Sequence, residues 1–145
     1  MRVRDVLSSK GSTQIFTIAP DATVRELLDA LAEHNVGALV VSDDGGATMR
    51  GIVSERDVVR KLRHVENARE ATVESIMTTD VRRCGPDDPF ASLMGTMTEH
   101  RVRHVPVVDD DGRLVGVLSI GDAVKHRMEQ LEFERDQLNS YVSGG

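Results

Sequence analysis

Two stretches of the chain, GIVSERD at 51–57 and GVLSIGD at 116–122, are apolar runs that end in Ser-x-x-Asp. Two chemistries suit that spacing. One is a capping box at a helix start, in which the Ser hydroxyl and the carboxylate three residues on each accept from the other's backbone N–H. The other is a ligand clamp. A carboxylate fixed on a helix end can accept hydrogen bonds from two neighbouring hydroxyls of a ligand. The helix N-terminus beside it offers N–H donors and partial positive charge to an anion, and Ser54 and Ser119 add a hydroxyl there. A cap by itself needs neither a glycine ahead of the serine nor a second copy. The two roles are compatible, since Ser can cap while Asp points into a cleft.

Little else in the chain reads as reactive. It has no P-loop, no G-x-G-x-x-G and no H-E-x-x-H. His34, His64, His100, His104 and His126 lack metal-ligand spacing with cysteine partners. The single cysteine, Cys84, excludes a disulfide within the chain and a Cys-based zinc site, and fits a reduced compartment. It falls in a predicted strand and reads as a small core residue ahead of a redox one. No Ser–His–Asp set or carboxylate pair can be assigned, so catalysis is not expected. The 145 residues are 39% hydrophobic and 29% charged, as in soluble globular proteins. A net charge of −6 argues against non-specific binding to nucleic acid or an anionic membrane, yet leaves room for a small anion in a locally basic pocket. The start, MRVRDVLSSK, has no apolar signal region, and no apolar run approaches the ~20 residues of a membrane helix. A cytoplasmic protein is expected.

The elements that carry the two Ser-x-x-Asp runs occur twice. IFTIAPDATVRELLDALAEHNVGALVVSDDGG (15–46) lies over VRRCGPDDPFASLMGTMTEHRVRHVPVVDDDG (81–112), and VRDVLS (3–8) resembles VESIMT (73–78). Each copy parses as strand, helix, strand, strand, helix. The strands IFTI and VRRC come first, each followed by a Pro-Asp turn. In the first helix, Thr23 and Glu26 form a capping box, and Val24, Leu27, Leu28 and Leu31 make the apolar stripe. In its counterpart Asp88 can cap, Pro89 suits the first helical position, and Phe90, Leu93, Met94 and Met97 repeat the stripe. The strands ALVVS (38–42) and GIVS (51–54) match HVPVVD (104–109) and RLVGVLS (113–119), with Pro106 expected near a strand start or edge. His34 and His100 match across the copies and read as last-turn residues near the helix dipole's negative end. Each unit has too little apolar surface to stand alone, so the two should pack together.

This doubled order, with HNVGALVVSDDG and HRVRHVPVVDDDG before the hairpins and a Ser-x-x-Asp opening each final helix, resembles the CBS domain pair, or Bateman module. The resemblance runs from about Val3 to Met128. It implies an α/β fold of two tandem βαββα repeats packed as a pseudo-two-fold pair, with an extended C-terminal helix. The expected boundaries are 1–68 for the first repeat, 69–128 for the second, and 129–145 for a helical extension with a fraying tail. Proteins of this family sense adenine-containing ligands such as AMP, ADP, ATP, NAD or S-adenosylmethionine, and commonly form disc-like dimers.

A ribose offers the two neighbouring hydroxyls that Asp57 and Asp122 suit. By resemblance each site mixes the halves. The Asp122 site takes Ser119 with the 10–18 stretch, including Ile15 and Thr17, and Val36, Gly37 and Ala38. Arg103 and His104 reach its phosphates. The Asp57 site takes Ser54 and Arg56 with the 79–83 stretch, including Val81 and Arg83, and Val102, Arg103 and His104. Arg82 and Arg83 lie at its rim. The run Arg60 to His64 reads as a solvated helix face, whereas Arg101 to His104 falls in the cleft-lining stretch and suits an anion. Lys10-Gly11 either touches phosphate or belongs to a solvated loop, the latter favoured. Glu55-Arg56 against Ile120-Gly121 hints that the two clefts differ.

Past the second Ser-x-x-Asp, Val124, Met128, Leu131, Leu138 and Val142 follow an alternating 4/3 spacing that Arg135 interrupts. This is either a coiled-coil seam with a partner chain or a tail helix packed on its own body. Two functions compete: a ligand-sensing regulatory module that signals to a protein partner, and an assembly module with vestigial clefts and the long helix as its working surface.

Overall fold

A computed structural model describes residues 1–10 and 15–144, so Gly11 of the Lys10-Gly11 pair and the rest of 11–14 lie outside the described residues. The elements are α1 (Val3–Ser9), β1 (Thr17–Ile18), α2 (Val24–His34), β2 (Ala38–Val41), β3 (Gly51–Ser54), α3 (Glu55–Leu62), a 3-10 turn at Ala68–Glu70, α4 (Val73–Ile76), α5 (Phe90–His100), β4 (His104–Val108), β5 (Leu114–Ser119) and α6 (Ile120–Val142). β1 pairs parallel with β2, and β2 pairs antiparallel with β3. β4 and β5 form the matching antiparallel hairpin. The architecture is the doubled α/β order expected.

The strand expected at VRRC does not form. Only Cys84 makes a bridge, parallel to Val107, at the position where Ile18 pairs with Val41 in the first unit. One residue explains the difference. Two bonds flank the β1–β2 ladder, Val40 N–H to the Phe16 carbonyl (3.3 Å) and Ser42 N–H to the Ile18 carbonyl (3.0 Å). The second unit keeps the latter as Val108 N–H to the Cys84 carbonyl (2.8 Å), but Pro106 stands where Val40 does and has no N–H for the Arg82 carbonyl. Pro106 therefore sits within β4, not at its start, with its missing donor on the side away from β5.

Two expected caps also change. Thr23 accepts from Glu26 N–H (3.2 Å), but no return bond from Thr23 N–H to the Glu26 carboxylate completes the expected box. Pro89, not Asp88, is the cap of α5; the Asp88 carboxylate turns back to accept from Gly85 N–H (2.8 Å) and closes the preceding turn. Of the apolar stripes, Val24, Leu27 and Leu31 are buried, as are Phe90, Leu93 and Met97, whereas Leu28 faces solvent.

Two cores result, and each borrows a helix. Val73 and Ile76 of α4 pack with Val24, Leu27, Leu39 and Val53 of the first unit. Val3 and Val6 of α1 pack with Leu93, Met97, Val105 and Leu118 of the second. Burying such a side chain contributes roughly 1.5–3 kcal/mol, so the exchange ties the units together. It also accounts for the glycine ahead of each Ser-x-x-Asp. A Cβ at Gly51 would lie 2.6 Å from the Thr78 carbonyl oxygen, and one at Gly116 would lie 2.7 Å from Leu7 Cδ2. Both glycines admit the segment that follows the borrowed helix's core residues.

α6 buries Ala123 near its start. Val124, Met128, Leu131, Leu138 and Val142 are all exposed, so the helix does not lay its stripe on its own body.

Candidate functional site

Both Ser-x-x-Asp runs form capping boxes. Ser54 Oγ accepts from Asp57 N–H (3.2 Å), and Asp57 Oδ2 accepts from Ser54 N–H (2.9 Å). Ser119 Oγ accepts from Asp122 N–H (3.1 Å), and Asp122 Oδ2 accepts from Ser119 N–H (2.9 Å). Capping does not use up either carboxylate. Asp57 Oδ1 accepts from Thr78 Oγ1 (3.3 Å) and faces Lys61 Nζ (3.3 Å). Asp122 Oδ2 pairs with Lys10 Nζ (3.0 Å), and that ammonium also donates to the Val117 carbonyl (2.9 Å).

Each carboxylate lines a cleft built from both repeats. The Asp122 cleft has a volume of about 460 Å³ and is bounded by Ser119, Lys10, Ile15, Phe16, Val36, Gly37, Ala38 and His104. The Asp57 cleft is smaller, about 260 Å³, and is bounded by Ser54, Glu55, Arg56, Arg60, Asp80, Val81, Arg82, Val102, Arg103 and His104. Gly37, Ile52 and His104 line both, so the clefts share a wall. The larger falls within the ordinary size of a small-molecule site, ~300–1,000 Å³, and the smaller just below it.

Thirteen of the fifteen expected site residues line the clefts, with Arg103 on the Asp57 cleft and not among the residues lining the Asp122 cleft. Thr17 and Arg83 line neither. They are equivalent positions in the two copies, and the extended chain alternates its side chains. The neighbours Phe16 and Arg82 take the cleft side, which turns Thr17 toward the hairpin, its Cγ2 3.3 Å from where a Gly46 Cβ would stand. Arg60 and Lys61 are exposed as expected, yet Arg60 also borders the Asp57 cleft, and Lys61 donates to the Ile76 carbonyl (2.7 Å) as well as facing Asp57. Arg63 and His64 are exposed as expected.

Sequence reasoning missed Phe16 and undervalued Lys10. Phe16 forms part of the Asp122 cleft and stacks on His34, with ring centroids 3.9 Å apart. A lone aromatic in a chain with 3% aromatics, four residues ahead of the Pro-Asp turn, was the available signal. The pairing of Lys10 with Asp122 carried no such signal, because it joins residues at opposite ends of the chain.

The electrostatics follow from burial and these partners. Burial, the largest influence on Asp122, raises its carboxyl pKa, but the Ser119 N–H and the Lys10 ammonium outweigh it and leave the group below the usual carboxylate value. Burial lowers the His104 pKa, opposed by Asp122 and Glu55 and aided by Arg103 and Lys10. Burial, with Asp88 nearby, pushes the Cys84 thiol up to about 11, which suits a packing role over a reactive one. Among the described residues no group of three or more His, Cys, Asp and Glu is placed to hold a metal ion, and no helix is long and apolar enough to cross a membrane.

With this geometry the comparisons agree. The CBS domain family matches residues 3–64 and 73–129, and the chain belongs to that family as a pair of CBS domains. Over 150 residues, covering 99% of this chain and 72% of the relative, it is 35% identical to the CBS domain-containing protein CBSX3, mitochondrial, of Arabidopsis thaliana. The CBS domain pair of protein MJ0100, solved in complex with 5′-methylthioadenosine and S-adenosyl-L-methionine, superposes with a TM-score of 0.77 at 27% identity, covering 90% of this chain and 98% of that one. The CBS domain protein PAE2072 of Pyrobaculum aerophilum, complexed with AMP, gives a TM-score of 0.71 at 30% identity over 84% of this chain and 89% of that one.

Proposed function

We propose that the chain is a regulatory module that binds adenine-containing ligands in the two clefts between its repeats. The observation that carries this reading is that both Ser-x-x-Asp carboxylates, besides capping their helices, border clefts lined by residues of both units. The ligands present in the MJ0100 and PAE2072 structures, all adenosyl compounds, support the same class here. In the Asp122 cleft the ribose hydroxyls bind the carboxylate, which requires Lys10 to release part of its hold on Asp122 and turn toward the ligand's anionic end. Ile15 and Phe16 cover the base, and the backbone of Val36, Gly37 and Ala38 meets its edge. In the Asp57 cleft Ser54 and Asp57 take the ribose, and Arg56 and Arg103 take the phosphates. AMP, ADP, ATP, NAD and S-adenosylmethionine are all candidates.

Because each cleft spans both repeats, a ligand stabilises one arrangement of the two units, and a protein partner reads that arrangement. The exposed stripe on α6 supports a homodimer, with Val124, Leu131 and Leu138 at heptad spacing. The same stripe is the one observation that favours the second reading, an assembly module whose clefts no longer bind a physiological ligand. A thermal-stability screen of ligand-stripped protein separates the two. A ligand at ~100 times its Kd should add about 2.7 kcal/mol. No shift with AMP, ADP, ATP, NAD or S-adenosylmethionine leaves only the assembly module.

A further inference from the structure

Equivalent positions of the two clefts carry opposite chemistry. Phe16 of the Asp122 cleft corresponds to Arg82 of the Asp57 cleft, and Gly37 corresponds to Arg103. Between Ser and Asp, Gly121 corresponds to Arg56. Phe16 and Gly37, which line the Asp122 cleft, are thus matched by guanidiniums in the Asp57 cleft; Gly121, next to Asp122 in sequence, is not among the residues lining the Asp122 cleft, and Arg60 adds a fourth arginine to the Asp57 wall. Among the described residues none of these four arginines is in an ion pair with a carboxylate. The Asp57 charge is matched by the Lys61 ammonium at 3.3 Å, so it leaves the arginines uncompensated. The remaining acids on that wall, Glu55 and Asp80, are fewer than the arginines. All four arginines are solvent-exposed, so water screens their mutual repulsion, but an anion entering this cleft of about 260 Å³ meets them together. Guanidinium forks match phosphate oxygens in pairs, so several phosphates can be engaged at once.

Among the described residues the Asp122 cleft holds no arginine. Its ammonium, Lys10, is already matched by Asp122, and its His104 is shared with the other cleft. Its remaining walls include Leu7, Ile15, Phe16, Val36 and Val117.

We infer that the two clefts select ligands by charge: the Asp57 cleft takes an adenosyl ligand with two or more phosphates, and the Asp122 cleft takes one with a single phosphate or none. This inference rests on the adenine-binding reading above and deepens it. The charge difference is written into the repeat itself, so substituting one copy's residues into the other should move the preference.

The test is calorimetric titration with two probes, ATP and 5′-methylthioadenosine, on the whole chain. In the wild type, ATP affinity should fall steeply as salt is raised, while 5′-methylthioadenosine affinity barely changes. The double variant Arg56→Gly, Arg82→Phe copies the other cleft and should weaken ATP roughly tenfold or more. The reciprocal pair, Phe16→Arg with Gly121→Arg, should create a second, salt-sensitive ATP site. A Cβ at Gly121 meets nothing closer than Ser119 Oγ at 3.6 Å, so this arm does not depend on tolerating a clash. Unchanged ATP affinity in Arg56→Gly, Arg82→Phe, or binding of both probes without regard to charge or salt, overturns the inference and leaves the adenine-binding reading standing. Failure of both probes to bind the wild type overturns the inference, and a thermal screen that is also silent overturns that reading with it.

Discussion

The first and second units share a sequence plan but differ in how firmly the chain before each first helix is held. Ile18 and its neighbours form a short strand because Val40 supplies an N–H to the Phe16 carbonyl. Cys84 manages a single bridge because Pro106 cannot. The clefts differ in the same way, by single residues at matched positions: Phe16 against Arg82, Gly37 against Arg103, Ala38 against His104. The two units share a framework, and individual side chains set how each half is braced and what lines its cleft.

The glycines that precede the two serines offer the largest contrast. At Gly51 an added Cβ would meet a backbone oxygen at 2.6 Å, whereas at Gly116 it would meet the end of the Leu7 side chain, which can turn away. Gly51→Ala should cost about 1–3 kcal/mol by chemical denaturation, and Gly116→Ala distinctly less. Equal losses would break the comparison. Next come the residues that end the first helix of each unit, Asn35 and Arg101, both in the left-handed region with φ of 52° and 53°. Asn adopts that conformation at lower cost than Arg. Arg101→Gly should raise stability by about 1 kcal/mol, and Asn35→Gly should change it by less.

His104 titrates and its counterpart Ala38 does not. Its folded-state pKa lies below the ordinary value, chiefly through burial. As pH falls below about 6.5 the unfolded chain takes up this proton before the folded chain does. Folding stability from this group is therefore present above that pH and is lost as pH falls through the folded-state pKa. His104→Ala should flatten that part of the pH–stability curve; an unchanged slope would show that His104 is not its source. The smallest effect on stability belongs to Pro106→Val. The regained bond, about 0.5–1.5 kcal/mol, is offset by the lost rigidity of proline, about 0.4–1 kcal/mol. The readout is hydrogen exchange, with the new residue-106 amide expected to be as protected as that of Val40. An amide exchanging as freely as a solvent-exposed one would refute the account of why the second strand is missing.

Much of this was legible in the sequence. The repeat, the two capping boxes and the pairing of each Ser-x-x-Asp with the opposite half follow from spacing and from family resemblance. Three features were not. VRDVLS and VESIMT look alike, yet nothing in their residues says that each packs on the other unit's core, because that choice is made by tertiary packing. The side of the chain that Thr17 and Arg83 face depends on strand phase, which a two-residue strand does not fix locally. The Lys10–Asp122 pair joins positions far apart in the chain, and local patterns carry no trace of it.

The central claim is that Asp57 and Asp122 each hold an adenine-containing ligand. The direct measurement is the number of ligand molecules bound per chain, by calorimetry, in the wild type, Asp57→Asn and Asp122→Asn. Asn keeps an oxygen for the cap, so the helix starts survive. The account expects each substitution to remove the binding event of its own cleft. Stoichiometry and affinity unaltered in both variants would contradict it, even with the fold correct in every detail.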